Sequence, residues 1–145
     1  ASDVYKRQIW YDAVMKKAKE VGFMKGDEFG NMRPNDNITL GEAITVLARF
    51  KNIGEAIGNT VGVPEKHWSR GFMQKAFIEG WLKRLENVKN PDRAIRRDEV
   101  AALMTKVRGL KIDKNDIDQN IAIYKTYKDV GKKNPYYYDI IENSN

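Results

Sequence analysis

The chain contains no cysteine and only one histidine, His67. Without cysteine the protein can form no disulfide, thiolate zinc site, iron–sulfur cluster or cysteine nucleophile. A single histidine also excludes multi-histidine metal sites and the HExxH zinc motif. The sequence has no GxxxxGK[ST], GxGxxG or GxSxG segment, so the common phosphate-binding loops and the nucleophile elbow are missing. We therefore expect a protein that is not an enzyme and that holds no cofactor and no metal.

Long hydrophobic runs are missing as well. No segment approaches the roughly 18 consecutive apolar residues that predict a transmembrane helix, and no secretory signal pattern opens the sequence. Membrane insertion is therefore not expected. The 145 residues suffice for one domain with a core, and 10% aromatic residues are too many for a disordered chain. The net charge of +6 favours an anionic partner.

What the sequence does contain is an internal repeat. The segments that begin at Trp10 and Trp68 align, and so do the later segments that begin at Ile38 and Ile95. The first pair is offset by 58 residues and the second by 57. Such repeats stack on one another, because one helix pair cannot bury its own apolar stripe. The equivalent residues include Met15 and Met73, Ala18 and Ala76, Gly22 and Gly80, and Glu42 and Glu99.

Each repeat has the pattern of a helix, a loop and a second helix. Apolar residues recur at helical spacing from Trp10 to Val21, and Gly22 ends that helix. Thr39, with Glu42 three residues later, predicts a capping box at the second helix. We predict an all-α fold with helices at residues 10–21, 39–50, 67–79, 96–108 and 135–143. The predicted shared core contains Val14, Ala18, Val46, Leu47, Phe72, Ala76, Leu103 and Met104.

The repeat divides the chain into five segments. They are an N-terminal segment that fits no repeat and is interpreted as an assembly scar (1–9), repeat 1 (10–58), repeat 2 (59–110), a polar connector (111–126) and a partial repeat 3 (127–145). Repeat 3 lacks the loop and the second helix. We therefore expect Ile140 and Ile141 to lack a cover within the chain, and exchange of this segment between two chains is one solution.

The repeat resembles the S-layer homology domain, a module of about 50–60 residues that is normally found in threes. Its motif has an aromatic residue at the first helix, a glycine-rich loop ending in proline, and I-T-R-A-E at the second helix. Repeat 1 is similar through Trp10, Gly22, Gly26, Gly30, Met32, Arg33, Pro34, Ile38, Thr39 and Glu42. Repeat 2 is similar through Trp68, Gly80, Pro91, Ile95, Arg97 and Glu99, and repeat 3 through Asp129, Val130 and Tyr136.

The resemblance implies both a fold and a function. Such repeats pack about a pseudo-threefold axis, with ligand grooves between neighbours. The modules are non-catalytic and anchor proteins at the bacterial surface, in the cell wall or S-layer, by binding an anionic and often pyruvylated secondary cell-wall polysaccharide; some relatives bind peptidoglycan-linked glycan instead. The chain departs from the motif at Leu40, which replaces the arginine of I-T-R-A-E in repeat 1.

The resemblance also implies which residues bind the ligand. Arg97 is the motif arginine of repeat 2, and a guanidinium offers a two-donor fork to a sugar carboxylate. Aromatic rings can stack on sugars, and we expect at least one ring of the run 136–138 to be exposed. The alternative for these residues is structural: a solvated arginine, a helix-capping glutamate and aromatic anchors of the core. The candidate ligand-binding residues are Arg97, Trp68, Glu99, Tyr136, Tyr137, Trp10, Asp27 and Arg33.

Other features of the sequence suggest three alternatives to carbohydrate binding. The acidic segment 113–120 fails as a calcium loop, because neither register places glycine at the sixth position and glutamate at the twelfth. A helix-turn-helix nucleic-acid reader needs a short turn, whereas the loop 22–37 is long. A degenerate repeat that binds another surface-protein chain, which would complete repeat 3, remains the alternative to a glycan anchor.

Overall fold

The computed structural model describes residues 39–145 of the chain. These residues form five α-helices: α1 (Leu40–Phe50), α2 (Arg70–Ile78), α3 (Arg97–Val107), α4 (Lys114–Gln119) and α5 (Tyr137–Ser144). A 3₁₀ turn, Ile121–Ile123, follows α4. Within this part of the chain the only β-type pairing is an isolated antiparallel bridge between Thr39 and Ala94. The predicted all-α fold class is confirmed.

The ends of the helices follow from local sequence. At the start of α1, Thr39 Oγ1 accepts the Glu42 N–H at 3.1 Å, and Glu42 Oε1 accepts the Thr39 N–H at 3.2 Å. The predicted capping box is therefore confirmed. Gly80 and Gly109 lie just beyond α2 and α3 with φ angles of 78° and 64°. This left-handed region suits glycine, which is why both helices end there.

The helices pack in two pairs, α1 with α2 and α3 with α5. One hydrophobic core joins the pairs, and its fully buried members include Leu40, Ile44, Met73, Ile95, Leu103, Met104 and Ile140. The predicted core residues Leu47, Ala76, Leu103 and Met104 are buried, while Val46 and Phe72 are half-buried. Val14, Ala18 and the helix predicted at residues 10–21 lie outside the described residues.

Loop 91–94 of repeat 2 contacts the start of α1 in repeat 1 through backbone hydrogen bonds. The Leu40 N–H donates to Arg93 O at 2.9 Å, and the Gly41 N–H donates to Pro91 O at 2.8 Å. Gly41 makes this approach possible, because a Cβ there would lie 2.8 Å from Ser69 Oγ and 3.2 Å from Pro91 Cβ. The first turn of a helix leaves N–H groups without helical partners. In α1 two of them are satisfied by residues of repeat 2.

The partial repeat 3 is covered within the chain, which corrects the expectation of an uncovered face. Ile140 and Ile141 are at most 1% exposed. Helix α3 packs against α5, and Ile117 of α4 forms a second apolar cluster with Tyr137 and Ile141. The expectation was wrong because residues 111–126 do not form only a solvated connector: they contain α4 and supply Ile117 as the cover.

The domain boundaries and the pseudo-threefold arrangement stay predictions. The helices within residues 39–145 are all too short or too polar to cross a membrane.

Candidate functional site

Five of the candidate ligand-binding residues lie in the described part of the chain: Trp68, Arg97, Glu99, Tyr136 and Tyr137. Trp10, Asp27 and Arg33 lie outside the described residues. The five occupy two places. Trp68 lies in the turn before α2, Arg97 and Glu99 lie in the first turn of α3, and Tyr136 and Tyr137 lie at the start of α5, which packs against α3.

Trp68 is the exposed member of the set, with 55% of its surface accessible. It belongs to the turn that leads into α2, and its neighbour Ser69 contacts Gly41 of α1 closely. The His67 ring lies beside it, with 5.5 Å between the ring centroids. An exposed indole next to polar groups can stack on a sugar ring and donate its N–H to a hydroxyl.

Three hydrogen bonds hold the His67 ring beside Trp68. Its Nδ1 accepts the Ser69 backbone N–H at 3.1 Å and the Ser69 hydroxyl at 2.8 Å. Its Nε2 lies 2.8 Å from Asp92 Oδ1. Because Nδ1 is an acceptor, Nε2 carries the proton and donates to Asp92. Asp92 is 68% exposed at its side chain, so a carboxylate also faces solvent close to the indole.

Arg97 is the first residue of α3 and is fully buried, with 0% of its surface exposed. Sequence reasoning placed it in an open groove, between the charged residues Arg96 and Asp98. The structure instead places it in the interior, where a guanidinium presents no face to a ligand in solution. Its assignment to a ligand stays a prediction.

Glu99 is also buried, and its carboxylate is fully engaged. Arg93 Nη1 donates to Oε1 at 3.1 Å and Arg93 Nη2 donates to Oε2 at 2.8 Å. The Arg96 backbone N–H also donates to Oε1, at 3.0 Å. Burial alone would raise the pKa of Glu99, but the hydrogen bonds from Arg93 and Arg96, together with their charges, hold this pKa below its usual value.

Arg93 is the residue of this cluster that sequence reasoning missed. Besides Glu99, it donates to Asn87 O and Glu86 O. Arg93 therefore ties the loop before α3 to the first turn of α3. No motif distinguishes Arg93 from Arg96 in the sequence. Only the structure shows that Arg93 binds Glu99 with two hydrogen bonds, whereas the Arg96 side chain is exposed.

Tyr136 and Tyr137 are both buried, at 7% and 8% exposure. The Tyr136 hydroxyl donates to Arg84 O at 3.0 Å, and the Arg84 guanidinium lies 5.4 Å from the Tyr136 ring centroid. Burial, followed by the charge of Glu99, raises the pKa of Tyr136. Tyr138 is half-buried. The expectation of an exposed ring in this run is therefore wrong, because α5 packs on two elements at once.

The segment before α5 nevertheless lies at the start of α3. Asn134 Nδ2 donates to Asp98 Oδ2 at 3.1 Å, and Asn134 Oδ1 accepts the Tyr136 N–H at 2.8 Å. One repeat earlier, Ser69 lies close to Gly41 in the first turn of α1. The residues next to Tyr136 and Trp68 therefore contact the first turns of α3 and α1, respectively.

Comparison with known protein families gives one match. Residues 2–44 match the model of the S-layer homology domain. The match includes residues 2–9, which sequence analysis set apart from the repeats, and ends within α1. Neither the comparison with curated proteins nor the comparison with solved structures gives a match.

The match has a general functional meaning. S-layer homology domains are non-catalytic modules of bacterial surface proteins that bind cell-wall polymers. Within residues 39–145, acidic and histidine side chains form no group that could hold a metal ion.

Proposed function

We propose that the chain is a cell-surface anchoring module that binds an anionic secondary cell-wall polysaccharide, with pyruvylated sugars as the expected acidic units. The observation that carries the proposal is the S-layer homology match at residues 2–44. The net charge of +6 supports it, because an anionic polymer is attracted to a cationic module. The proposed location is extracellular, in the cell wall or S-layer of a bacterium.

Trp68 is the proposed contact among the described candidate residues. Its ring is accessible, the His67 ring lies beside it, and the exposed Asp92 carboxylate that is bonded to His67 can accept hydrogen bonds from sugar hydroxyls. Arg97 and Glu99 are also proposed ligand-binding residues, on the ground of the family resemblance. Tyr136 and Tyr137 are proposed because they belong to α5, which packs beside α3. Trp10, Asp27 and Arg33 complete the proposed set from the part of the chain outside the described residues.

Sedimentation with purified bacterial cell walls tests the proposal. The parent chain should sediment with intact walls and not with walls from which the acidic polysaccharide has been removed. Trp68→Ala should weaken the apparent affinity roughly tenfold, about 1.4 kcal/mol. Phe77→Ala is the matched control, because Phe77 is an aromatic residue of similar exposure, 46%, at the other end of α2. Equal losses in the two variants would remove Trp68 from the site.

Because the Arg97 side chain is fully buried, its substitution can change folding as well as binding. The wall binding of Arg97 variants is therefore compared at equal concentrations of folded protein. Arg97→Lys keeps a charge but not the planar fork, so it should rescue folding better than it rescues binding. If a folded Arg97→Ala chain sediments with walls as well as the parent does, Arg97 is structural.

The second candidate function is a degenerate module that binds another surface-protein chain. The burial of Arg97, Glu99, Tyr136 and Tyr137 favours it, because buried side chains serve packing rather than ligand contact. A parent chain that fails to sediment with any wall preparation, yet forms a stable complex with a surface protein of the same cell, would establish this function over the anchor.

A further inference from the structure

The ring of His67 is bonded at both nitrogens, and the two nitrogens have different requirements for a proton. Nδ1 lies 3.1 Å from the Ser69 backbone nitrogen and 2.8 Å from the Ser69 hydroxyl oxygen. Nε2 lies 2.8 Å from Asp92 Oδ1. A backbone N–H can only donate, so Nδ1 is unprotonated and the ring is neutral. The His67 side chain is only 10% exposed, so water offers little substitute for these partners.

The bond from the Ser69 N–H fixes the turn that leads into α2. Ser69 is the N-cap residue of α2, and its side chain makes no capping hydrogen bond to the helix. Its hydroxyl donates to the His67 ring instead. A side chain that accepts the N–H two residues later has the geometry of an Asx turn, which asparagine and aspartate usually form. His67 therefore holds both ends of the turn that contains Trp68.

The same turn lies where the two repeats meet. Ser69 is fully buried, and a Cβ on Gly41 of α1 would lie 2.8 Å from the Ser69 Oγ. At the other edge of the ring, Asp92 belongs to loop 91–94, in which the carbonyl of Pro91 accepts the Gly41 N–H at 2.8 Å. One imidazole ring thus joins the start of α2 to the loop that contacts α1.

Protonation changes one edge of this ring and preserves the other. In the imidazolium both nitrogens are donors, so the bond to Asp92 is kept, whereas Nδ1 can no longer accept the Ser69 N–H. The Ser69 hydroxyl can rotate and accept from Nδ1, but the backbone N–H cannot. A positive charge at the N-terminus of the nine-residue α2 is also unfavourable. Asp92 offsets this only weakly, because its side chain is 68% exposed.

Asp92 is bonded to the ring, and the charged groups of the elements around it have other positions or partners. In loop 91–94, Arg93 is bonded to Glu99. In α1, Glu42 is exposed and accepts the Thr39 N–H. The charged groups next to His67 in the sequence are Glu65, which accepts from Asn59, Lys66, which is exposed, and Arg70, which donates to Ala56 O and Gly58 O. The charge of His67 is therefore coupled directly to Ser69 and Asp92.

We infer that His67 is a proton-sensitive positioning residue. In its neutral form it fixes the Trp68 turn between α1 and loop 91–94, and on protonation it releases the Ser69 end of the turn while it keeps Asp92. Histidine is the side chain that ordinarily changes its charge between about pH 5 and 8. The link rests on its own geometry. Only its consequence, that attachment through Trp68 weakens in mild acid, rests on the proposed function.

The test uses the full ¹⁵N-labelled chain, whose single histidine gives one set of ring signals. At about pH 8, long-range ¹H–¹⁵N spectra should show the proton on Nε2. As the pH is lowered to about 5, the Ser69 amide signal should shift with the same midpoint as the ring. The Trp68 indole N–H, identified by its loss in Trp68→Phe, should shift with it.

Two variants separate the proton from the hydrogen bonds. His67→Asn keeps an acceptor for the N–H two residues later but takes up no proton in this range, so its Ser69 amide signal should stay constant. Asp92→Asn removes the charge that favours the imidazolium, so the midpoint of the Ser69 shift should move to lower pH.

Three results would overturn the inference. They are a proton on Nδ1 at about pH 8, a Ser69 amide that does not follow the ring, and the same pH response in His67→Asn as in the parent. The first two are measured on the parent chain, so they decide the matter even where a variant does not fold.

Sedimentation with cell walls at the two pH values separates this inference from the proposed function. The parent should bind about fivefold more weakly in acid, the loss expected for one hydrogen bond, and His67→Asn should bind equally at both. A coupled titration in a chain that does not sediment would support the link and contradict the anchor. Sedimentation of a chain without the coupled titration would support the anchor and contradict the link.

Discussion

The first turns of α1 and α3 have the same backbone but different side chains. Their N-cap residues, Thr39 and Arg96, have φ and ψ of −82° and 158°, and of −81° and 154°. In each turn a glutamate at the third helical position accepts the N-cap N–H. The residue directly after the N-cap is fully buried in both turns, yet it is Leu40 in α1 and Arg97 in α3. The N-cap residue and the glutamate therefore determine the backbone conformation of the first turn, whereas the surrounding interior determines which side chain can be buried after the N-cap.

The two glutamates show a second difference. Glu42 is exposed, whereas Glu99 is buried and clamped by Arg93. The partners of the first-turn N–H groups also differ. Loop 91–94 supplies carbonyls to α1, whereas in α3 the side chain of Asp98, a residue of the same turn, accepts the Glu99 N–H at 2.8 Å. Equivalent positions of the two repeats thus have the same local geometry, but we expect them to contribute unequally to the free energy of unfolding.

The largest expected effect is that of Leu40→Arg, which gives α1 the residue of α3. Leu40 belongs to the hydrophobic core, while Arg97 has an interaction partner. A guanidinium in the Leu40 position should lower the free energy of unfolding by about 4 kcal/mol. Urea unfolding checks this, with Leu40→Met, a volume-conserving change, as the control. A loss below about 1 kcal/mol would mean that the two positions are interchangeable.

Glu99→Gln should cost more than Glu42→Gln. Loss of the Glu99 charge leaves Arg93 poorly compensated, and we expect a loss of about 2–3 kcal/mol. Glutamine at position 42 can still accept the N-cap N–H, so that variant should lose less than about 0.5 kcal/mol. Both are measured by chemical denaturation. Equal losses would show that the Arg93 clamp adds nothing to the shared cap.

The stability contributed by Glu99 should depend on pH. Its folded pKa is held below the unfolded value of about 4.3, so its contribution is complete above that value and is lost as the pH falls through the folded pKa. The stability difference between the parent and Glu99→Gln should therefore be constant near neutral pH and shrink in acid. Urea titrations between about pH 3 and 7 measure it, and a difference that grows in acid would contradict the assignment.

The smallest effects concern the caps. Thr39→Ala removes the hydroxyl that accepts the Glu42 N–H and should cost about 1 kcal/mol. Arg96→Ala removes a side chain that is 58% exposed and pairs with Asp98 and Glu99 near the surface. Such pairs contribute at most about 0.5 kcal/mol. Thermal unfolding of both variants under one buffer condition ranks them, and the reverse order would mean that Arg96 is the stronger cap.

Local sequence signals predicted the helices well and their surroundings less well. Helices α1 and α3 begin and end within one residue of the prediction, because capping residues and following glycines act locally. Helix α4 was missed because it has six residues and one buried apolar side chain, Ile117, which is too little for a periodic pattern. Its N-cap signal exists: Asp113 Oδ1 accepts the Asp116 N–H at 3.0 Å.

The candidate site was harder to predict than the fold, because burial depends on residues distant in sequence. Arg97 lies between two charged residues and is typical of a surface helix start, yet tertiary packing buries it. Trp68 is either a sugar-stacking ring or a core anchor by its sequence position, and only the structure shows it to be 55% exposed. The pocket lined by Arg84, Lys106, Lys114, Tyr138 and Asp139 combines residues from distant parts of the sequence, and no spacing rule brings them together before the fold is known.

The hydrogen bonds from Leu40 and Gly41 to loop 91–94 have a consequence during synthesis. A growing chain is made at about 5–20 residues per second, and about 50 residues separate α1 from this loop. Helix α1 therefore exists for roughly 3–10 seconds before its first-turn N–H groups can reach Arg93 and Pro91. A chain released between α1 and Pro91 would keep the Thr39–Glu42 capping box but lack the two carbonyls that accept the Leu40 and Gly41 N–H groups, so repeat 1 is completed only after repeat 2 has been made.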